Sequence, residues 1–290
     1  MQHSKIAITT DSNSGLSLDE WKEKDVFVLP MPFLIGGESY FENINLSQDD
    51  FYKLLATKIG VSTSQPSIGD LSDFWTEILK EFDTIVHVPM SSGLSQSCAT
   101  AQNLAKEFDG KVLVVDNHRI SVTLKESISD AIQLRDNGKT AEEIKTYLEN
   151  TGADSAIYIA VDTMTYLKRG GRVTGAAAMI GSLLRIKPVL EIRGEKLDKY
   201  MLARSMQKAK EAMKSAIKNH LEGEFAEYMK IGKMCISVAH TQNAEEAEIF
   251  CAELQKAFPN APIHYCDPLS LSVSCHIGPG ALAVTCTRTL

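Results

Sequence analysis

Four short stretches hold the side chains able to bind or transform a ligand. Thr63 and Ser64 open the run Thr63-Ser64-Gln65-Pro66-Ser67, and Ser91 and Ser92 open Ser91-Ser92-Gly93-Leu94-Ser95. Lys168, Arg169 and Arg172 surround the pair Gly170-Gly171, and His276 precedes Gly278-Pro279-Gly280. A cluster of uncharged hydroxyls, as at Thr63 and Ser64, suits a ligand carboxylate or phosphate; helix capping accounts for Ser67 but not for these two. The apolar run 84–89 leads straight into Ser91 and Ser92 with a helical pattern after it. Strand, small polar turn and helix leave backbone N–H groups at a sheet edge, the usual anion site of open α/β folds. Ser92 also reads as a simple helix cap. His276 is placed by its glycines on a tight turn with room for a ligand, although a lone histidine is more often structural.

Other chemistries lack their parts. Gly170-Gly171 has neither the spacing of a dinucleotide fingerprint nor the lysine of a phosphate loop, and no strand leads directly into it. Ser91 and Ser92 lack the G-x-S-x-G elbow that would expose a nucleophile. No histidine pair has ligand spacing on one helix face, so zinc is not expected. The six cysteines show no CxxC spacing and read as reduced core residues.

Positioning these groups falls to alternating strands and helices. Apolar runs at 5–10, 26–35, 84–89 and 111–115 read as strands, with helices capped by Ser47 with Asp50 and Thr140 with Glu143, and a short one capped by Ser17 with Glu20. That alternation predicts a mostly parallel sheet flanked by helices over residues 1–153. From 154 to 290 the pattern is α+β with a mixed sheet: a strand at 156–161, a hairpin from 186–192 and 196–202 around Arg193-Gly194, a helix from Met206, and later strands at 235–239, 263–265 and 281–287. Asn243 with Glu246 is expected to cap a helix between the first two of these. The stretch 167–190 joins the basic cluster to Gly175-Ala176-Ala177-Ala178 and an apolar helix, a loop and helix that let a partner or ligand approach closely.

With 290 residues, 44% of them hydrophobic, the chain has enough apolar material for two cores, so two domains are expected. A net charge of −7 argues against nucleic acid or an anionic membrane as the main partner. No apolar run approaches the roughly 18 residues of a membrane span and no leader opens the chain, so a cytoplasmic protein without stable membrane insertion is expected. Against that acidic background, 167–200 carries eight basic residues to three acidic ones. This is a solvated face or a docking surface for an acidic partner.

The five stretches Thr10-Asp11-Ser12, 63–67, 91–95, 167–190 and His276-Ile277-Gly278-Pro279-Gly280 occur in one order along nearly the whole chain. In this the sequence resembles the DegV family of bacterial fatty-acid-binding proteins. The resemblance implies a carboxylate held by Thr63, Ser91 or Ser92, and His276, with Ser64 beside them and Arg204 in the same neighbourhood. It implies an interdomain tunnel walled by residues such as Ile180, Leu183, Leu184 and Ile186. It further implies a carrier with no cofactor and no catalysis of its own, which presents a long-chain fatty acid to a separate ATP-dependent fatty acid kinase for acyl phosphate formation, docking through Arg172 with Lys168 and Arg169. The sequence departs from the family at Gln96-Ser97, where Gly-Thr is usual, and at Asn13-Ser14.

Burial at about 0.8 kcal/mol per methylene lets a chain of about 14 such groups supply roughly 11 kcal/mol before entropy and desolvation are subtracted. The head site then has only to fix the carboxylate and offset its lost water. Two other readings stay open at this level: an acyl or phosphoryl transferase using the Ser91-Ser92 turn, and a carrier of another amphipathic anion.

Overall fold

A computed structural model describes residues 4–57, 59–178, 186–194 and 196–290. The strands of the first half are β1 (Ile6–Asp11), β2 (Val26–Leu29), β3 (Phe33–Ile35), β4 (Glu38–Tyr40), β5 (Val61–Thr63), β6 (Thr84–Val88) and β7 (Val112–Val114). Those of the second are β8 (Ser155–Ala160), β9 (Lys187–Ile192), β10 (Asp198–Ala203), β11 (Met234–His240), β12 (Ile263–Pro268) and β13 (Leu282–Arg288).

The expected parallel sheet is there, in the order β2-β1-β6-β7, and all its pairings are parallel. Helices Ile68–Ile78 and Ser97–Leu104 contribute to the apolar cluster on one face, and Val122–Asp136 and Ala141–Asn150 to that on the other. The expected strand 26–35 divides in two because Pro30 and Pro32 cannot donate to a ladder. Its second part, β3, joins a small antiparallel sheet, β4-β3-β5, that the sequence reading did not anticipate. Ser17 and Glu20 make half of a capping box, the Ser17 N–H donating to the Glu20 carboxylate while the Glu20 N–H donates to the Ser17 carbonyl, and only a turn and a single 3-10 turn, Lys22–Lys24, follow.

All six strands of the second sheet come from residue 155 onward, ordered β10-β9-β8-β13-β11-β12 and parallel only between β11 and β12. The hairpin of β9 and β10 forms as its sequence predicts. Ser47 and Thr140 cap their helices, but Asn243 makes no side-chain capping bond, and Glu246 instead accepts from the buried Lys210 ammonium.

Apolar packing continues across the two halves. Ile8, Val86 and Ile128 belong to the same cluster as Ile157, Ile159 and Leu190. The buried Lys125 ammonium reaches Glu20 on one side and Asp267 on the other, at 3.0 Å each. Helix Leu271–Ile277 makes the most consequential crossing. It follows β12 in the chain, but Leu271 and Cys275 pack with Phe33, Phe51 and Val61 of the first half, and the Tyr52 hydroxyl donates to Ser274 Oγ at 3.1 Å. Among the described residues no helix is long and apolar enough to cross a membrane. All six cysteines are free thiols; Cys98, Cys235, Cys275 and Cys286 are buried, and Cys251 and Cys266 half-buried.

Candidate functional site

Where β5, helix Leu271–Ile277 and the open face of the second sheet meet, they surround a cavity of about 260 Å³. Its walls are mainly apolar and come from both halves, with Ile120 and Val122 facing Ile157, Ile159, Leu167 and Ile192. Strand alternation explains the sheet's share: Ile157 and Ile159 are two apart on β8, so both project to one side. Thr63, Ser64, Gln65, Ser95, Gln96, Arg172 and His276 supply polar groups to the same lining. Asn13 and Ser272 also line it, but they bond to one another, and Ser270 donates to the Asn13 amide oxygen as well.

Thr63 ends β5, and its Oγ1 lies 2.8 Å from His276 Nε2. His276 occupies the last turn of helix Leu271–Ile277, not the tight turn its glycines suggested; Gly278, at φ 77°, ends that helix. Close glycine contacts hold the ring in place. A Cβ on Gly170 would stand 2.0 Å from His276 Nδ1, and one on Gly278 would stand 2.3 Å from the Tyr166 ring. Neither position has room for a side chain. Burial, and then the positive charge of Arg172, push the His276 pKa down to about 4, so the ring is neutral near pH 7.

Arg172 is half-buried, lines the cavity and donates from Nη1 to the Gly170 carbonyl at 2.5 Å. The family resemblance implies a docking role for this arginine. Lys168 and Arg169 are exposed, at the end of helix Thr165–Gly170. Gly171 ends this helix in the left-handed region, φ 68°, which turns the chain toward Arg172.

Ser91 and Ser92 do not line the cavity. Ser91 is fully buried, and its hydroxyl donates to the Gly194 carbonyl at 2.7 Å while accepting from the Gly93 N–H. The N–H groups expected to be free for an anion are already spent. Met90 donates to the Asp11 carboxylate, Ser91 to the Arg119 carbonyl and Ser92 to the Asp116 carboxylate. Later residues of the same motif, Leu94 and Ser95, reach the cavity together with Gln96. The turn that brings them there is closed by Leu94 and Ser95 N–H groups donating to the Ser91 carbonyl.

Arg204 is exposed and lies outside the lining, because β10 ends at Ala203 and the next residue turns outward before the helix Met206–Glu222. Ile186 is half-buried and also lies outside the lining, while Ile180, Leu183 and Leu184 fall outside the described residues. Gln65, Ser95 and Gln96 were missed as site residues, although the first two stand inside motifs already singled out.

Asp11 supports the site from beneath. Its carboxylate accepts from the N–H groups of Asn13 and Met90, both 2.9 Å away, and so joins the ends of β1 and β6. Burial raises its pKa to about 6 against the opposing pull of those bonds.

The chain is thus an α/β protein of two halves in which a mainly apolar cavity carries a bonded hydroxyl–imidazole pair and an arginine in its lining. The DegV family model, described as uncharacterised proteins, matches residues 5–289, and the chain belongs to that family. A DegV domain-containing protein of Listeria monocytogenes is 30% identical over 288 residues, covering 97% of this chain and 98% of its own. A fatty-acid-binding DegV family protein of Thermus thermophilus superposes with a TM-score of 0.88 at 26% identity, covering 98% of this chain and 99% of its own. The fatty acid binding protein DegV of Bacillus subtilis gives 0.83 at 27% identity, covering 99% and 100%.

Proposed function

We propose that this chain binds one long-chain fatty acid, with the acyl chain in the 260 Å³ cavity and the carboxylate at Thr63, His276 and Arg172. The observation that carries this reading is the bonded Thr63–His276 pair, set beside Arg172 in an otherwise apolar lining. A neutral His276 that donates from Nε2 to Thr63 Oγ1 leaves the threonine hydroxyl hydrogen for a carboxylate oxygen. Arg172 supplies the opposing charge, and the amides of Gln65 and Gln96 and the hydroxyl of Ser95 are further donors in the same lining, while the Ser64 hydroxyl donates to the Gln65 carbonyl. The relatives' fatty-acid ligands support the same choice of anion.

The carrier itself performs no chemistry in this reading. It presents the carboxylate to a separate ATP-dependent kinase, and exposed Lys168 and Arg169, next to the segment that brings Arg172 inward, form the docking face. Arg204 is exposed as well and suits this face better than the carboxylate site.

Solvent extraction of the purified protein, followed by mass spectrometry and quantitation, tests the reading. Near one fatty acid per chain is expected. A nucleotide or another amphipathic anion in its place would contradict it.

A further inference from the structure

A second cavity, of about 320 Å³, lies behind Ile157 and Ile192. These isoleucines are directly paired across β8 and β9 and line both cavities, so they separate a mainly apolar space from a more polar one. The polar groups of the second cavity come from His118, Arg119, Thr123, Ser155 and Arg193, with Gly152, Ala153 and Gly194 completing its wall beside the isoleucines. Among the described residues of this lining there is no aspartate or glutamate.

Arg119 is its centre. The residue is 2% exposed, yet its side chain bonds to neutral acceptors: Nε to the Gly152 carbonyl at 3.3 Å, Nη1 to Ser127 Oγ at 3.0 Å and Nη2 to the Thr151 carbonyl at 2.7 Å. A guanidinium has five N–H groups, so two remain for a ligand. A buried charge without a directly bonded counter-ion is costly, and an oxyanion in the cavity offsets that cost. Asp130, Glu126 and Asp154 act on the Arg119 charge from outside the lining without bonding to it, Asp116 Oδ1 lies 3.8 Å from His118 Nδ1, and Glu224 is paired with Arg193 at 2.9 and 3.2 Å.

The backbone is shaped around the same point. His118 (φ 58°) and Ser121 (φ 55°) both sit in the left-handed region on either side of Arg119, a conformation that costs energy in non-glycine residues. Two glycines allow close approach, since a Cβ on Gly152 would fall 2.4 Å from the Asn117 carbonyl oxygen and one on Gly194 would fall 3.0 Å from His118 Cβ.

We propose that this cavity is a second ligand site, for a phosphoryl group carried either as free phosphate or as a small phosphomonoester. The three terminal oxygens of a phosphoryl group match more donors than a carboxylate can use: the spare Arg119 N–H groups, the Arg193 Nε–H and the His118 ring. Its volume far exceeds the roughly 30 Å³ that one water occupies in the liquid, which leaves space for a short ester skeleton beside the phosphoryl group.

The test is calorimetric titration of the full chain with inorganic phosphate and, separately, with glycerol phosphate, against sodium chloride and sodium acetate at matched ionic strength. Saturable binding of one or both phosphates is expected, and the tighter of the two identifies the source. His118→Asn and Arg193→Gln, both at exposed positions, should each weaken it tenfold or more and leave the extracted lipid unchanged. Asparagine tolerates the left-handed backbone at position 118, so the first variant retains the turn. Heats equal to those of chloride, tighter binding of acetate, or wild-type phosphate binding by both variants would each overturn the assignment.

Discussion

Thr63 Oγ1 and His276 Nε2 meet at 2.8 Å across 213 positions of sequence, and this bond joins the small sheet of the first half to a helix of the second. If the pair fixes the ligand carboxylate, Thr63→Ala and His276→Ala should each weaken fatty-acid affinity by about 1–3 kcal/mol, the cost of leaving a buried polar group unpaired. Fluorescent fatty-acid displacement would measure it. Wild-type affinity in both variants would place the carboxylate elsewhere.

Gly170→Ala probes the same pair without touching either partner. The added Cβ, 2.0 Å from His276 Nδ1, must drive the imidazole out of place. Loss of affinity should match that of His276→Ala, and the far-ultraviolet circular dichroism should stay that of the folded protein. A variant that binds lipid normally would show that the ring position is unimportant.

The pH dependence of His276 has a definite sign. Its folded pKa, about 4, is depressed below the ordinary 6.5, so the unfolded chain takes up this proton first as pH falls. The neutral ring therefore contributes stability that is fully present above about 6.5 and is lost progressively down to about 4. A bound carboxylate should raise this pKa, because a nearby negative charge favours the imidazolium. Ring-proton NMR titration with and without lipid reads the change, and identical titration curves would separate the carboxylate from His276.

Ser91→Ala should behave as a structural change only. The substitution strands the Gly194 carbonyl and the Gly93 N–H, at a cost of about 1–3 kcal/mol in a buried setting, while lipid content stays near one per chain. Urea unfolding and lipid extraction on one preparation give both readouts. Normal stability with lost lipid would restore Ser91 to the head site.

These outcomes bear on how far the chain could be read from its residues alone. Strand and helix alternation made the parallel sheet legible, and the turn at Arg193-Gly194 made the hairpin legible, because both are local patterns. The motifs at 63–67 and 276–280 could be singled out because hydroxyls and glycines carry their chemistry in their own identities, and Thr63 and His276 meet at one cavity. Tertiary placement was not local. Whether Ser91 or Ser95 reaches the cavity depends on which N–H groups the Arg119 carbonyl and the Asp11 and Asp116 carboxylates take up, and Arg119 and Asp116 lie some 25 residues downstream. Arg172 reads as a surface charge until Gly171 is seen to turn it inward. His276 reads as a turn residue because nothing in a seven-residue helix announces that Leu271 and Cys275 will pack on β3 and β5.

A crystal structure of the chain with a long-chain fatty acid brominated at its methyl end tests the central claim most directly. The account predicts carboxylate oxygens within hydrogen-bond distance of Thr63 Oγ1 and the Arg172 guanidinium, and bromine inside the cavity bounded by Ile157 and Ile192. A carboxylate seated at the Ser91-Ser92 turn, or an acyl chain lying outside that cavity, would contradict it.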